Sequence, residues 1–275
     1  MVRIVRVTAL GAVLAAAFAF APALASTNHG RPKTASASSG GILIPAYPGE
    51  VLPLGSKTIH SSNWSGYAVY SKGHNITGVT STYIVPKVRP STARFAATWA
   101  GIGGYKTHDL IQAGTGEDSR SSGLFGKQYF AWYELLPRSE TQLRDCKGDS
   151  HCKVRPGDRI TVAIRNTGRD GWTISMSDAG HWSWSKHVSY HSSRSSAEWI
   201  LEAPSLGGGP TVLSPVGTVH FGPTAKYTSG GSSHRVAQGK PIRIILSGEA
   251  KPSALGSNGQ SFNDCAYHSG SCPKP

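Results

Sequence analysis

The chain has 275 residues, with 33 glycines, 17 prolines and only 16% charged residues, which argues against a helical protein and for many short strands joined by turns. The formal net charge is +13, but the basic residues are scattered, with no run of Lys or Arg. That distribution points to a solvated basic surface and away from nucleic-acid binding.

The N-terminus, MVRIVRVTALGAVLAAAFAFAPALAS, places Arg3 and Arg6 before an apolar run that ends on small residues at Ala23 and Ala25. This pattern predicts a secretion signal peptide over 1–25, cleaved after Ala25, in preference to a membrane anchor. Cleavage removes both early arginines and leaves +11, since residues 1–25 contain no acid. No other stretch is apolar for long enough to span a bilayer as a helix. The expectation is a secreted, extracellular protein with no membrane attachment once the signal is gone. Residues 26–58 are first polar and low in complexity, then rich in Pro and Gly, and read as a propeptide or flexible linker. The folded domain is expected over 59–275.

From NWSGYAVYS onward strand signals are dense. Strands are predicted at 64–71, 79–86, 95–102, 109–113, 128–136, 159–166, 171–177, 181–190, 196–203, 216–222 and 241–247. Neither a fixed-period repeat nor a helix stands out. In HWSWSKHVSYH, Trp182, Trp184, Val188 and Tyr190 share one parity, while three histidines and three serines share the other. A period of two gives this strand an apolar-aromatic face and a wetted Ser/His face. The histidines carry no metal-ligand pattern that would suggest zinc. Many alternating strands predict an all-β fold: an antiparallel two-sheet sandwich of jelly-roll or concanavalin-like type. Such a sandwich can bend into a concave groove able to hold an extended peptide or polysaccharide.

Four cysteines suit an oxidising compartment. Cys146 and Cys152 close CKGDSHC, and Cys265 and Cys272 close CAYHSGSC. Their spacing favours two local disulfides, with the other two connectivities left open.

The stretch SSAEWILEAP, residues 195–204, carries the main puzzle. Ionised carboxylates are costly to bury without partners, yet Glu198 and Glu202 sit in a strand of Trp, Ile and Leu. By parity Glu198, Ile200 and Glu202 share one face, and Trp199 and Leu201 the other. If the latter two face the core, the glutamates line a solvated face or a groove.

Five motifs stand in order: NWSGY, then W-x-G-I-x-G, then L-I-Q-x-G, then AWYE, then A-E-W-I-x-E. Together with PVGTVHFGP and GQSFNDCAYH they resemble the glutamic peptidases, the eqolisin-type group G1, in a bacterial-type member, over about residues 61–268. The resemblance implies an antiparallel β-sandwich in which a Gln–Glu dyad hydrolyses peptide bonds; protein or peptide substrates and a monomeric state are expected. The matching positions are Gln112 in L-I-Q-x-G and Glu198 in A-E-W-I-x-E. It implies that Glu198 is the general base on a water, and that Gln112 positions the water and donates to the oxyanion. Trp99, Trp132, Glu134 and Glu202 match further motif positions and are expected at the substrate-binding groove. A carboxylate ionised in the acid range is a usable base at low pH, and a carboxamide donates at any working pH.

Two positions depart from the fungal pattern. Gly103 and Gly116 stand where Asp is usual, and Glu117 or Asp118 could replace the second. Arg31, Lys33 and Lys57 are available to pair with groove acids at neutral pH. The G-x-S-x-G, dinucleotide, P-loop and H-E-x-x-H patterns are missing from the sequence, so neither a metal nor an organic cofactor is expected. The competing expectation is a carbohydrate-active or carbohydrate-binding sandwich. A glycosidase, however, needs two carboxylates roughly 5–9.5 Å apart, and Glu198 and Glu202 lie about 13 Å apart along one strand.

Overall fold

A computed structural model describes residues 57–91, 94–119, 128–205 and 209–275. The expected signal peptide and nearly all of the expected linker, including Arg31 and Lys33, lie outside the described residues. The described chain forms seventeen strands: β1 (Thr58–Ser61), β2 (Trp64–Tyr70), β3 (Ile76–Ile84), β4 (Ala97–Gly103), β5 (Leu110–Asp118), β6 (Gln128–Leu135), β7 (Thr141–Gln142), β8 (Arg159–Gly168), β9 (Gly171–Asp178), β10 (Trp182–Ser189), β11 (Ser196–Glu202), β12 (Thr218–Phe221), β13 (Lys226–Ser229), β14 (Ser232–Arg235), β15 (Ile242–Leu246), β16 (Ala250–Pro252) and β17 (Phe262–Ala266). The sole helical element among the described residues is a short 3-10 turn, Val236–Gly239.

The strands form two layers. One runs β7-β6-β5-β4-β11-β2-β15-β1. The other runs β10-β9-β8-β3, with β12 and β13 both pairing with β3. A corner joins them: β15 turns into β16, β16 pairs β17, and β17 pairs β12. All pairings are antiparallel except β1 with β15, which is parallel.

Alternation dictates what lies between the layers. On β8, Ile160, Val162 and Ile164 are buried, as are Trp172, Ile174 and Met176 on β9. From the other layer, Tyr67, Val69, Ile111, Ala113, Trp199 and Leu201 join the same cluster. Polar contacts cross the core too: Trp199 Nε1 donates to the Thr80 carbonyl at 2.9 Å, and the Tyr83 hydroxyl lies 2.9 Å from Thr115 Oγ1. β10 keeps its expected split, with Trp182 buried and Ser183, Ser185, His187 and Ser189 exposed.

Both disulfides are local. Cys146 bonds Cys152 and Cys265 bonds Cys272, with Cα separations of 5.3 and 5.6 Å.

Candidate active site

The outer face of the β5-β4-β11-β2 layer holds the candidate residues, and strand register brings them together. In an antiparallel pair, opposed residues project to the same face. Glu198 on β11 lies opposite Ala68 on β2 and Gly101 on β4. Gly101 lies opposite Gln112 on β5, and Gln112 opposite Glu134 on β6. One row therefore reads Glu198, Gly101, Gln112, Glu134. Glu198 and Gln112 are two strand spacings apart, about 9.6 Å between Cα atoms. The residue between them has no side chain. A Cβ built on Gly101 would meet Leu110 Cδ1 at 2.9 Å, Trp99 Cζ3 at 3.0 Å and Gln112 Cβ at 3.1 Å. Only glycine fits between the two, because Leu110, Trp99 and Gln112 close on its backbone.

Gln112 Nε2 donates to Glu134 Oε2 at 2.7 Å. That bond uses one of two amide protons and fixes which way the carboxamide points. Gln112 Oε1 and both oxygens of Glu198 make no hydrogen bond of normal geometry, although both residues are fully buried. Burial pushes the Glu198 carboxyl well above its ordinary range, and the nearby Asp109 charge pushes it further. Hydrogen bonding from the Ser196 side chain, and to a lesser extent from the Tyr105 backbone, opposes that shift. The parity expected for this strand holds, but the face is not solvated at these positions: Glu198 and Glu202 are both 0% exposed.

Two rows along the strand, Glu202 is occupied differently. Trp99 Nε1 donates to Glu202 Oε2 at 2.7 Å, and Asn63 Nδ2 to Oε1 at 3.3 Å. The glutamate thus anchors an indole. Trp99, Gly114 and Trp132 form the row between. Both tryptophans are buried in a second apolar cluster with Trp64, Tyr105, Leu110, Ile200 and Ile242, and Trp64 meets Trp99 edge-on at 5.0 Å. They stand beside the Glu198–Gln112 row on the same face.

The two glycine departures acquire physical reasons. Gly103 has φ +91, and a Cβ there would meet the Asp109 carbonyl at 2.6 Å and Asp109 Oδ2 at 2.8 Å. The carboxylate missing at 103 is thus supplied beside it by Asp109, which accepts from the Ser193 amide at 2.7 Å and from Ser192 Oγ at 3.2 Å. Sequence reasoning overlooked Asp109. The available signal was the short β4–β5 loop, which returns 109 beside 103. At Gly116 a Cβ would lie 2.3 Å from Phe130 Cζ, so an aromatic ring fills that place. Glu117 does not replace it. It points into the inter-layer core, where Thr115 Oγ1 donates at 2.5 Å and Thr98 Oγ1 at 3.1 Å. Lys57 pairs with no groove acid; its ammonium lies 5.7 Å from the Tyr105 ring centroid.

Away from this face, ligand atoms of Asp158, Asp178 and His181 lie within 4.8 Å of one another. His181 Nδ1 is 2.7 Å from Asp178 Oδ2, and Asp158 accepts from the Arg155 amide. Local hydrogen bonds account for that grouping.

The antiparallel sandwich matches the fold of the eqolisins. Scytalido-glutamic peptidase, solved with a transition-state analogue inhibitor, matches with a TM-score of 0.61 at 21% identity, covering 74% of this chain and 98% of that one. SCP-B, an eqolisin solved with the tripeptide Ala-Ile-His, matches with a TM-score of 0.56 at 20% identity, with the same coverages. No curated protein sequence matches the chain. The model of the Peptidase A4 family matches residues 62–264, and the chain belongs to that family, the glutamic peptidases of group G1. It is a hydrolase, a glutamic endopeptidase.

Proposed function

We propose that the chain is an exported endopeptidase in which Glu198 and Gln112 act as a dyad across Gly101, working at acid pH on proteins or peptides as a monomer. The observation that carries the reading is the row itself: a buried carboxyl with only the Ser196 side chain and the Tyr105 backbone near its oxygens, a side-chain-free position, then an amide with one N–H spare. A water in that gap faces both groups. Ionised Glu198 takes a proton from the water as its oxygen attacks the scissile carbonyl carbon. Gln112 donates its remaining N–H to the oxyanion, the kind of contact whose loss costs about 10²–10³ in turnover. Glu198 then returns the proton to the amine nitrogen as the C–N bond breaks. Desolvation is the main force holding the proton on Glu198, so the water that enters as nucleophile also restores the base.

The carbohydrate reading loses support from the same row. The carboxyls at its ends, Glu198 and Glu134, are three strand spacings apart, about 14 Å between Cα atoms, with an amide between them. Export is supported by the two disulfides; among the described residues no helix is long and apolar enough to cross a membrane.

The test is casein cleavage at acid pH with pepstatin present, using wild type, Glu198→Gln and Gln112→Ala. Cleavage lost in both variants, with both still folded, is expected. Near-wild-type turnover in either would refute the assignment.

A further inference from the structure

The outer face carries a second cluster of groups beside Glu198 that the dyad does not use. Tyr70 lies opposite Ser196, so it shares the Glu198 face, two residues along the strand. Its ring meets Tyr105 edge-on at 6.0 Å. Two lysines converge on this aromatic pair. Lys106 Nζ stands 5.0 Å from the Tyr70 centroid and 5.6 Å from that of Tyr105, while Lys57 Nζ stands 5.7 Å from the Tyr105 centroid. Lys57 immediately precedes Thr58, the partner of Arg243, and its carbonyl accepts from the Arg243 amide at 2.8 Å. That places it at the β15 edge, level with the row that holds Glu198.

Three features set this pair apart from ordinary surface lysines. Neither makes an ion pair with a described acid. They sit close enough that Lys106 helps lower the Lys57 pKa, after partial desolvation. Lys106 also adopts φ +84, a region that costs a residue with a Cβ and that only a constrained turn maintains. Two cations held together over aromatic rings, with no acid among the described residues between them, lack only an anion.

The geometry points to Lys57, Lys106, Tyr70 and Tyr105 as a substrate subsite that takes an acidic side chain, Asp or Glu, on the β2 side of the scissile bond. The tyrosine rings pack on its methylenes and the ammonium groups bind its carboxylate. This deepens the peptidase reading by naming a substrate class, and it rests on that reading for the identity of the cleft.

The test walks one Glu, and separately one Gln, through otherwise neutral peptides from four positions before to four after the bond. The expected result at pH 5.5 is one position, on a single side, where Glu exceeds Gln about tenfold in kcat/KM, equal to about 1.4 kcal/mol. The advantage should fade below about pH 4 as the substrate carboxylate protonates and weaken with added salt. In Lys57→Ala/Lys106→Ala the Glu/Gln ratio should fall to about one, and Lys106→Glu should favour a Lys peptide at that position. A ratio is insensitive to a general loss of activity. Calorimetric binding of the same peptide pair to full-length Glu198→Gln reads the preference without turnover. If wild type cleaves nothing, the peptidase reading fails while the binding ratio still decides the subsite. No position with Glu favoured more than twofold, or a preference that survives the double substitution, overturns the proposal.

Discussion

Gln112 Nε2 and Glu134 Oε2 stand 2.7 Å apart across the β5–β6 pair, so the orientation of the proposed oxyanion donor is set by an acid one strand further out. An amide can present either its oxygen or its nitrogen to the gap. Glu134 biases the choice, because a carboxylate accepts and a carbonyl does not donate.

Replacing Glu134 with Ala removes that bias without touching substrate chemistry. We expect kcat to fall by about tenfold to a hundredfold, as misplacement of a catalytic group does, with KM little changed. Steady-state kinetics on one peptide checks it; a loss confined to KM would assign Glu134 to substrate contact instead.

Gly101→Ala tests the gap. The added methyl would press on Leu110, Trp99 and Gln112 at 2.9–3.1 Å and stand between Glu198 and Gln112, the proposed dyad. The expected outcome is a folded protein with at least a hundredfold lower kcat/KM, the cost of a displacement of about 1 Å. Circular dichroism with a peptide assay separates this from unfolding.

Two buried acids make stability depend on pH. Glu117 and Asp264 are each raised to about 8, chiefly by burial, against ordinary values of 4.5 and 3.8. Thr98 and Thr115 bond to Glu117, and Ser65 Oγ donates to Asp264 Oδ1 at 2.7 Å. The unfolded chain releases these protons near pH 4, and the folded chain keeps them to about pH 8. Between those limits the unfolded state binds fewer protons, so stability falls as pH rises, by about 1.4 kcal/mol per pH unit per group. Below pH 4 the contribution is complete. Glu117→Gln imitates the protonated acid. Its melting temperature should match wild type at pH 4 and exceed it at pH 8. Parallel curves would contradict the assignment.

Trp99→Phe removes the indole N–H that Glu202 Oε2 accepts in the buried row. The expected cost is about 1–3 kcal/mol, read as a lower midpoint in urea. An unchanged midpoint would show that Glu202 does not depend on the indole.

Much of this was legible in advance where the information is local. All eleven expected strands exist, because each segment carries either alternation or a short apolar run bounded by turn residues. The strands that escaped notice are short or polar, such as Ser232–Arg235 and Thr141–Gln142, and form because neighbours offer an edge. β5 runs to Asp118, further than expected, since Gly114 and Gly116 weaken a strand signal while making room for Trp99 and Phe130. At the site, the shared face of Glu198 and Glu202 followed from parity. Their different environments did not, because only register across β2, β4 and β5 decides that one glutamate meets a glycine and the other receives an indole. Asp109 escaped for the same reason: its nearness to Gly103 is a property of the pairing.

The corner at β15, β16 and β17 has a mechanical consequence. The backbone ladder passes from β7 to β10 without an interruption, crossing from one layer to the other on paired strands. Neither layer can peel away while the other keeps every amide bonded, so the pair should open as one cooperative unit, with slow-exchanging amides shared by both sides of the sandwich.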